Sequence, residues 1–379
     1  MSLVLSLVLP LIQKYERKRL DAKELLFSKY GAFNAFVDSN NSEDCVLSPL
    51  NRKLLYYSDQ NTVPIVVLNG DTGGLDVGAS MSCSPSVTID STSAKITPTF
   101  TPYNFAIDTY PSAFASGPQS INYVTAQDDF NQKFDRYWKV YLETLDNLCL
   151  STLSDNKNQS WSVNTPAYYT VVGNALQVSQ AQKNDFFNKF SALLAEHDFY
   201  GQTVIVGSTS LQPLTRRLEN QGENNATNEM FQFKLGDFEF AGTNRLSNDA
   251  GIEATLYGVA KGYVAIYNMN AAPFINGDKV GISSNGMSST QLSTIEMPGL
   301  GGWTERAPDG STSNANFQLA LAEKTECSSL AAAGATPNGQ GIIVRTTFQF
   351  GSNWGTIVGY NSSPSTKPTP IIKAQISAA

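Results

Sequence analysis

The chain of 379 residues contains one histidine, His197, and four cysteines, Cys45, Cys83, Cys149 and Cys327. No two cysteines are close and no C-x-x-C occurs, so neither a zinc site nor a redox motif is indicated. Scattered in this way, they leave most His-based catalysis and most transition-metal sites without partners. His197 follows a candidate helix, where its ring complements the negative end of the helix dipole. Cys149 falls on an apolar helix stripe and reads as core packing. Gly70-Asp71-Thr72-Gly73-Gly74 is glycine-rich, but no Gly-Lys-Ser/Thr follows and no helix opens there. It reads as a hairpin tip rather than a phosphate loop. No Gly-x-Ser-x-Gly elbow is present. Asp128 and Asp129 sit where a helix N-terminus favours negative charge, and nothing marks them as an acid/base pair. Arg216 and Arg217, with Thr209 and Ser210 earlier on the same candidate helix, are able to bind phosphate or carboxylate across an interface. A solvated helix face is the simpler reading. No catalytic, cofactor-binding or metal-ligating residues are assigned, and the chain is expected not to be an enzyme.

The element that stands out is a helix from Thr125 to about residue 152. Thr125 is a suitable N-cap, with Asp128 three residues later as in a capping box. Phe130, Phe134, Tyr137, Trp138, Tyr141, Leu145, Leu148 and Cys149 then recur at spacings of three and four, forming one apolar stripe. The opposite side, with Lys133, Asp135, Arg136, Lys139, Glu143 and Asp146, is expected to face solvent or a neighbour. No Gly or Pro interrupts the run, and no second helix of similar length exists to pair with it.

Charged residues make up 16% of the chain, against about 25% in ordinary domains. Asn, Ser, Thr, Gly and aromatics fill the gap, which favours strands and loops over helix bundles. The formal net charge of -7 argues against a surface that binds nucleic acid throughout, without excluding a local basic patch. The N-terminal run MSLVLSLVLP precedes its basic cluster (Lys14, Arg17, Lys18, Arg19) and lacks an A-x-A-like site, unlike a secretory signal. It is too short for a membrane span and contains Pro10. It reads as an apolar arm entering a helix from about Leu11 to Tyr30. The Asn-x-Ser/Thr sequons at Asn40, Asn158, Asn225 and Asn361 are expected by chance in so Asn-rich a chain.

In order, residues 31–54 read as irregular and 55–68 as a strand. Residues 85–108 alternate Thr and Ser with apolar groups, which suits strands, with Pro98 and Pro102 confining them to an edge. Together 55–110 form a two-stranded excursion. A lone hairpin is marginal in water, so this one needs a neighbour to lie on. Residues 162–173 read as a strand. A second helix begins near Ser179, with Phe186, Phe187, Phe190, Leu193 and Leu194 on its apolar face. Thr203–Val206 is a short buried strand. Ser208 or Thr209 caps a third helix with Pro213 in its first turn. FQFKLGDFEF gives two strands around Gly236-Asp237. ATLYGVAKGYVAIYN gives two more around Lys261-Gly262. Residues 275–340 read mostly as loop, 343–350 as a strong strand, and the chain from Tyr360 as an extended tail.

This order of arm, hairpin excursion, single long helix, small α/β layer, β stretches (FKLGDFEFAGTNRL and KGYVAIYN) and late strand resembles the major capsid proteins of tailed bacteriophages. The resemblance implies an α+β fold of the Hong-Kong-97 type, with an N-terminal arm (1–54), an extended β-hairpin loop (55–118), a peripheral domain with the spine helix (119–200), an axial domain (201–339), and a return strand with C-terminal tail (340–379). It implies self-association into hexamers and pentamers of an icosahedral shell around double-stranded DNA. Scaffolding, portal and auxiliary capsid proteins are the implied partners, with the packaged DNA nearby. The implied location is the virion, after assembly in the host cytoplasm, with no membrane contact and no cofactor. No cross-linking residue carries over; Lys95, the only lysine between 55 and 110, does not by position establish such chemistry. A shell that encloses protein cargo, a secreted β-rich adhesin or binding module, and a jelly-roll capsid protein are the competing readings. The last should lack the long helix.

Overall fold

The computed structural model describes residues 30–40, 63–66, 93–96, 100–109, 126–159, 169–186, 190, 202–214, 238–269, 280–284, 288–297, 302–306, 312–329, 342–359 and 369–378. The fold is α+β. Among the described residues, its α-helices include α1 (Gly31–Asn40) and α2 (Ala126–Asp155). The strands before residue 200 are β1 (Val63–Val66), β2 (Ser93–Ile96), β3 (Thr101–Thr109), β4 (Thr170–Val172) and β5 (Ala175–Val178). Then come β6 (Thr203–Ser208), β7 (Phe238–Thr243), β8 (Ile252–Ala260), β9 (Val264–Met269), β10 (Val280–Ser284) and β11 (Ser288–Glu296). The last are β12 (Gly302–Arg306), β13 (Thr312–Asn316), β14 (Gln318–Ser329), β15 (Ile342–Val358) and β16 (Ile371–Ser377).

These strands build two six-stranded sheets and two antiparallel ribbons, β1–β2 and β12–β13. The first sheet runs β10-β11-β14-β15-β3, and β9 also pairs with β15. Its axis is β15, 17 residues long, or roughly 55 Å at a strand's rise. Asn353 and Trp354 pair with β3 on one flank and β9 on the other, so β9 continues the flank that β14 occupies earlier. β3 ends the sheet, and Pro102 is tolerated there because its missing N–H leaves no ladder bond broken on the open side.

The second sheet runs β4-β5-β16-β8-β6-β7, with β16–β5 and β6–β7 parallel and the rest antiparallel. β6 is buried at every position, and β8 from Ala254 onward. β16 is covered on both faces, with only Lys373 and Ser377 partly exposed. The turn between β4 and β5 is Gly173-Asn174, both with positive φ. That is the left-handed pair that a two-residue hairpin needs, and Gly and Asn adopt it at low cost.

The 30 residues of α2 span about 45 Å. They lie across the first sheet with Phe130, Phe134, Trp138, Tyr141, Leu142, Leu145, Cys149 and Leu153 buried. β3 and β15 answer with their inward residues, Phe105 and Ile107 from one and Phe348, Phe350 and Trp354 from the other. The apolar stripe of the sequence is therefore the packed face, except that Tyr137 is 44% exposed. Thr125 lies outside the described residues.

Several expectations are corrected. The segment read as irregular at 31–54 contains α1, whose Ala32, Phe33, Ala35 and Phe36 are all buried. At ten residues it has too few turns to declare a period. The stretch 275–340 is not mostly loop, for it carries β10 to β14. Segments such as SSTQLSTIE lack an apolar alternation, and their strand state comes from ladder pairing with β14. The tail after Tyr360 includes β16, a strand of the second sheet's interior. The Lys261-Gly262 turn is real, with Gly262 at φ 95, but it closes no hairpin. β8 belongs to the second sheet and β9 to the first, so this corner passes the chain between sheets. The second helix begins as a 3-10 helix at Gln180–Asp185 after Ser179. The third opens likewise at Thr209–Leu211 after Ser208.

Candidate functional site

Two features could serve function, a stiff plate made by α2 on the first sheet and a polar junction where α1 meets α2. The plate is cemented by rings. Phe105 of β3 stacks on Phe350 at 5.1 Å and on Tyr137 at 5.7 Å, and meets Phe134 and Tyr141 edge-on at 5.7 and 5.8 Å. Phe130 meets Phe348 edge-on at 5.3 Å, and Phe134 meets Phe350 at 5.2 Å. Such pairs add about 0.5–1.5 kcal/mol each beyond the area they bury. At the far end, Trp354 Nε1 donates to the Tyr141 hydroxyl at 2.7 Å, so neither buried polar group is orphaned. Burial raises the Tyr141 pKa, against the lowering effect of that bond, and the phenol stays neutral.

The junction forms around Asp146, which is fully buried. The sequence placed Asp146 on the exposed side of the helix, and the structure corrects this. Asp146 lies four residues after Leu142 and three before Cys149, inside the apolar stripe, and that position was the available signal. One of its carboxylate oxygens, Oδ1, accepts from the Phe33 amide at 3.0 Å, and Oδ2 accepts from Thr243 Oγ1 at 2.7 Å. It thus supplies the negative charge and acceptor that the first turn of α1 requires. Arg245 lies 3.6 Å from Asp146 and 2.8 Å from Glu143, and its guanidinium sits over the Tyr30 ring at 5.0 Å. Burial pushes the Asp146 pKa up, while the Phe33 amide, Thr243 and Arg245 pull it down; the net direction is up. At the other end of α1, Ser39 and Asn40 bond to the backbone of 262–266.

The residues singled out for chemistry are not brought together. Asp128 is exposed on the first turn of α2, and Asp129 pairs with Lys133 at 2.6 Å. Cys149 is a free buried thiol, its pKa raised well above the ordinary value by desolvation, so it is unreactive. Ser208 and Ser210 share a hydroxyl bond of 2.7 Å, and Thr209 opens the 3-10 turn. Lys95 stands opposite Pro64 in the β1–β2 ribbon. His197, Gly70 to Gly74, Arg216 and Arg217 lie outside the described residues. Among the described residues no group of three or more His, Cys, Asp or Glu could hold a metal ion, and no helix is long and apolar enough to cross a membrane. The sequon residue Asn158 is fully buried and accepts from the Thr369 amide at 3.3 Å.

Among the described residues, large apolar groups are exposed at Tyr137 and Val140 on α2 and at Val171 and Val172 on β4. β4 is a sheet edge with every residue exposed.

No family model and no curated protein matches the chain. Among solved structures it is similar to the capsid of Ralstonia phage GP4, at 8% identity and a TM-score of 0.48, over 93% of this chain and 92% of that one. It is also similar to the Cyanophage A-1(L) capsid asymmetric unit, at 11% identity and a TM-score of 0.41, over 86% of this chain and 90% of that one. A third similarity is to the capsid of an empty GTA particle, at 8% identity and a TM-score of 0.36, over 87% of this chain and 91% of that one.

Proposed function

We propose that this chain is the major capsid protein of a tailed bacteriophage, with the Hong-Kong-97-type fold. On this reading it assembles through hexamers and pentamers into an icosahedral shell around double-stranded DNA. The observation that carries the reading is the plate: one 30-residue helix laid on a sheet whose central strand is 17 residues long. A thin, stiff wall element needs length and one ring-filled seam rather than a deep cavity. The two ribbons fit the same purpose. A two-stranded ribbon is marginal alone in water and gains stability when a neighbouring surface covers it. The similar solved structures include capsids, and the proposal is of the same kind, but it rests on this arrangement.

Within that reading, residues 119–200 with the spine helix form the peripheral domain, 340–379 supply its return strand and the C-terminal tail, and residues 201–339 form the axial domain. β1–β2 belongs to the extended loop at 55–118. Residues up to 54 form the arm. The partners are other copies of the chain, then scaffolding, portal and auxiliary proteins, with packaged DNA alongside. The location is the virion, after assembly in the host cytoplasm, and the chain performs no catalysis.

The test is electron microscopy of the purified chain, alone and with candidate scaffolding protein. Closed shells, tubes or rings of five and six subunits are expected. A chain that stays monomeric at high concentration under both conditions overturns the reading. Shells that package protein rather than DNA in the native host favour a cargo compartment instead.

A further inference from the structure

α1 is fastened at both ends by side chains, and each fastening contains two acids for one cation. At its C-terminal end, Ser39 Oγ donates to the Val264 carbonyl at 2.6 Å and accepts from the Gly262 amide at 2.8 Å. Asn40 brackets Ile266, donating to its carbonyl at 2.6 Å and accepting from its amide at 3.1 Å. Asp38, beside them, feels Glu239 of β7 and Lys261 of the corner between sheets. Lys261 is already shared, with its Nζ 3.4 Å from Glu239 and 3.3 Å from Gln202 Oε1. At the N-terminal end Glu143 and Asp146 divide Arg245 in the same way, with Tyr30 beneath the guanidinium.

We propose that α1 is a pH-sensitive latch, with Asp38 as its sensor, whose docking on the Lys261–Ile266 corner tightens in mild acid and slackens as the pH rises. A half-buried carboxylate facing Glu239 and offered only a share of Lys261 is costly to ionise. Burial raises its pKa from 3.8 to about 6, Glu239 adding to the shift and Lys261 opposing it.

The sign follows from linkage. The docked pKa lies above the undocked one, so the docked state binds the proton more tightly. Docking is weakest when Asp38 is fully ionised and strengthens as pH falls through about 6, with the gain complete below 3.8. Asp146, also raised by burial, acts in the same direction. For Asp38 alone, the ratio of docked to open α1 should be about fourfold greater at about pH 5.5 than at about pH 7.5. The latch rests on this chain's own contacts and stands whether or not the chain forms shells.

The test is hydrogen exchange on the full-length chain, with amide rates corrected for the intrinsic effect of pH. Peptides covering α1 should be about fourfold better protected at about pH 5.5 than at about pH 7.5, while β16 stays level. Asp38→Asn should remove most of that step and leave α1 in its tighter state at both pH values. Glu239→Gln, which keeps the sensor and removes its like-charged neighbour, should shrink the step. Equal protection of α1 at the two pH values overturns the latch. So does an undiminished step in both variants, or a step of the same size in β16.

Discussion

The core under α2 and the core around β16 solve the packing problem differently. A cylinder lying on a twisted sheet touches it unevenly, and the first core fills the gap with rings: Phe105, Phe130, Phe134, Trp138, Tyr141, Phe348, Phe350 and Trp354. The second core sits within a sheet covered on both faces. It uses mostly aliphatic groups, among them Leu176, Val178, Ile205, Leu256, Ile372 and Ile376, with fewer rings. Where a ring does enter, the backbone must make room. A Cβ at Gly258 would lie 2.3 Å from Phe190 Cε1. The lesson is that the first core depends on filling and the second on close approach, so they should fail in opposite ways.

The sharpest break of that contrast is Phe134→Ala. Phe134 is fully buried and touches Phe105, Phe130, Trp138 and Phe350. Its removal opens a cavity and should cost about 3–5 kcal/mol in urea unfolding. A loss under about 1 kcal/mol would mean that the rings repack freely and the plate is not stiff. Next is Gly258→Ala, which adds one methyl where Phe190 already stands. It should cost about 1–3 kcal/mol by overpacking, and shortening Phe190 to Leu in the same chain should recover part of it. Tyr141→Phe keeps the ring but strands the Trp354 indole N–H, for a loss of about 1–3 kcal/mol. The smallest effect belongs to the surface. Val172→Thr on β4 should change stability by less than about 0.5 kcal/mol. If a neighbour covers that edge, the change appears in assembly yield instead.

Legibility in the sequence followed the same divide. The α2 stripe could be read because a helix with one wet face repeats every three to four residues, and β15 because Thr346, Phe348, Phe350, Ser352 and Trp354 alternate inward. β16 could not be read as a core strand. Buried on both faces, IIKAQIS shows no alternation, and it follows three prolines that suggest a tail. β10 and β11 were missed because most of their residues are polar and their strand state comes from pairing, β10 with β11 and β11 with β14. At the junction, Asp146 was visible as a charge within a stripe. Its partners Phe33, Thr243 and Arg245 come from segments about one hundred residues away on either side, and no local pattern links them.

By itself, the sequence of this protein determined the α+β class, the long helix and its aromatic face. Those are local matters of period, capping and residue supply. Only the tertiary structure decided that Lys261-Gly262 passes the chain between two sheets, that β16 joins the second sheet, and that a short helix is held at one end by Asp146 and at the other by Ser39 and Asn40. Such facts depend on which distant groups share a low-dielectric space. Burial and pairing set those energies, and neither is written in the spacing of residues along the chain.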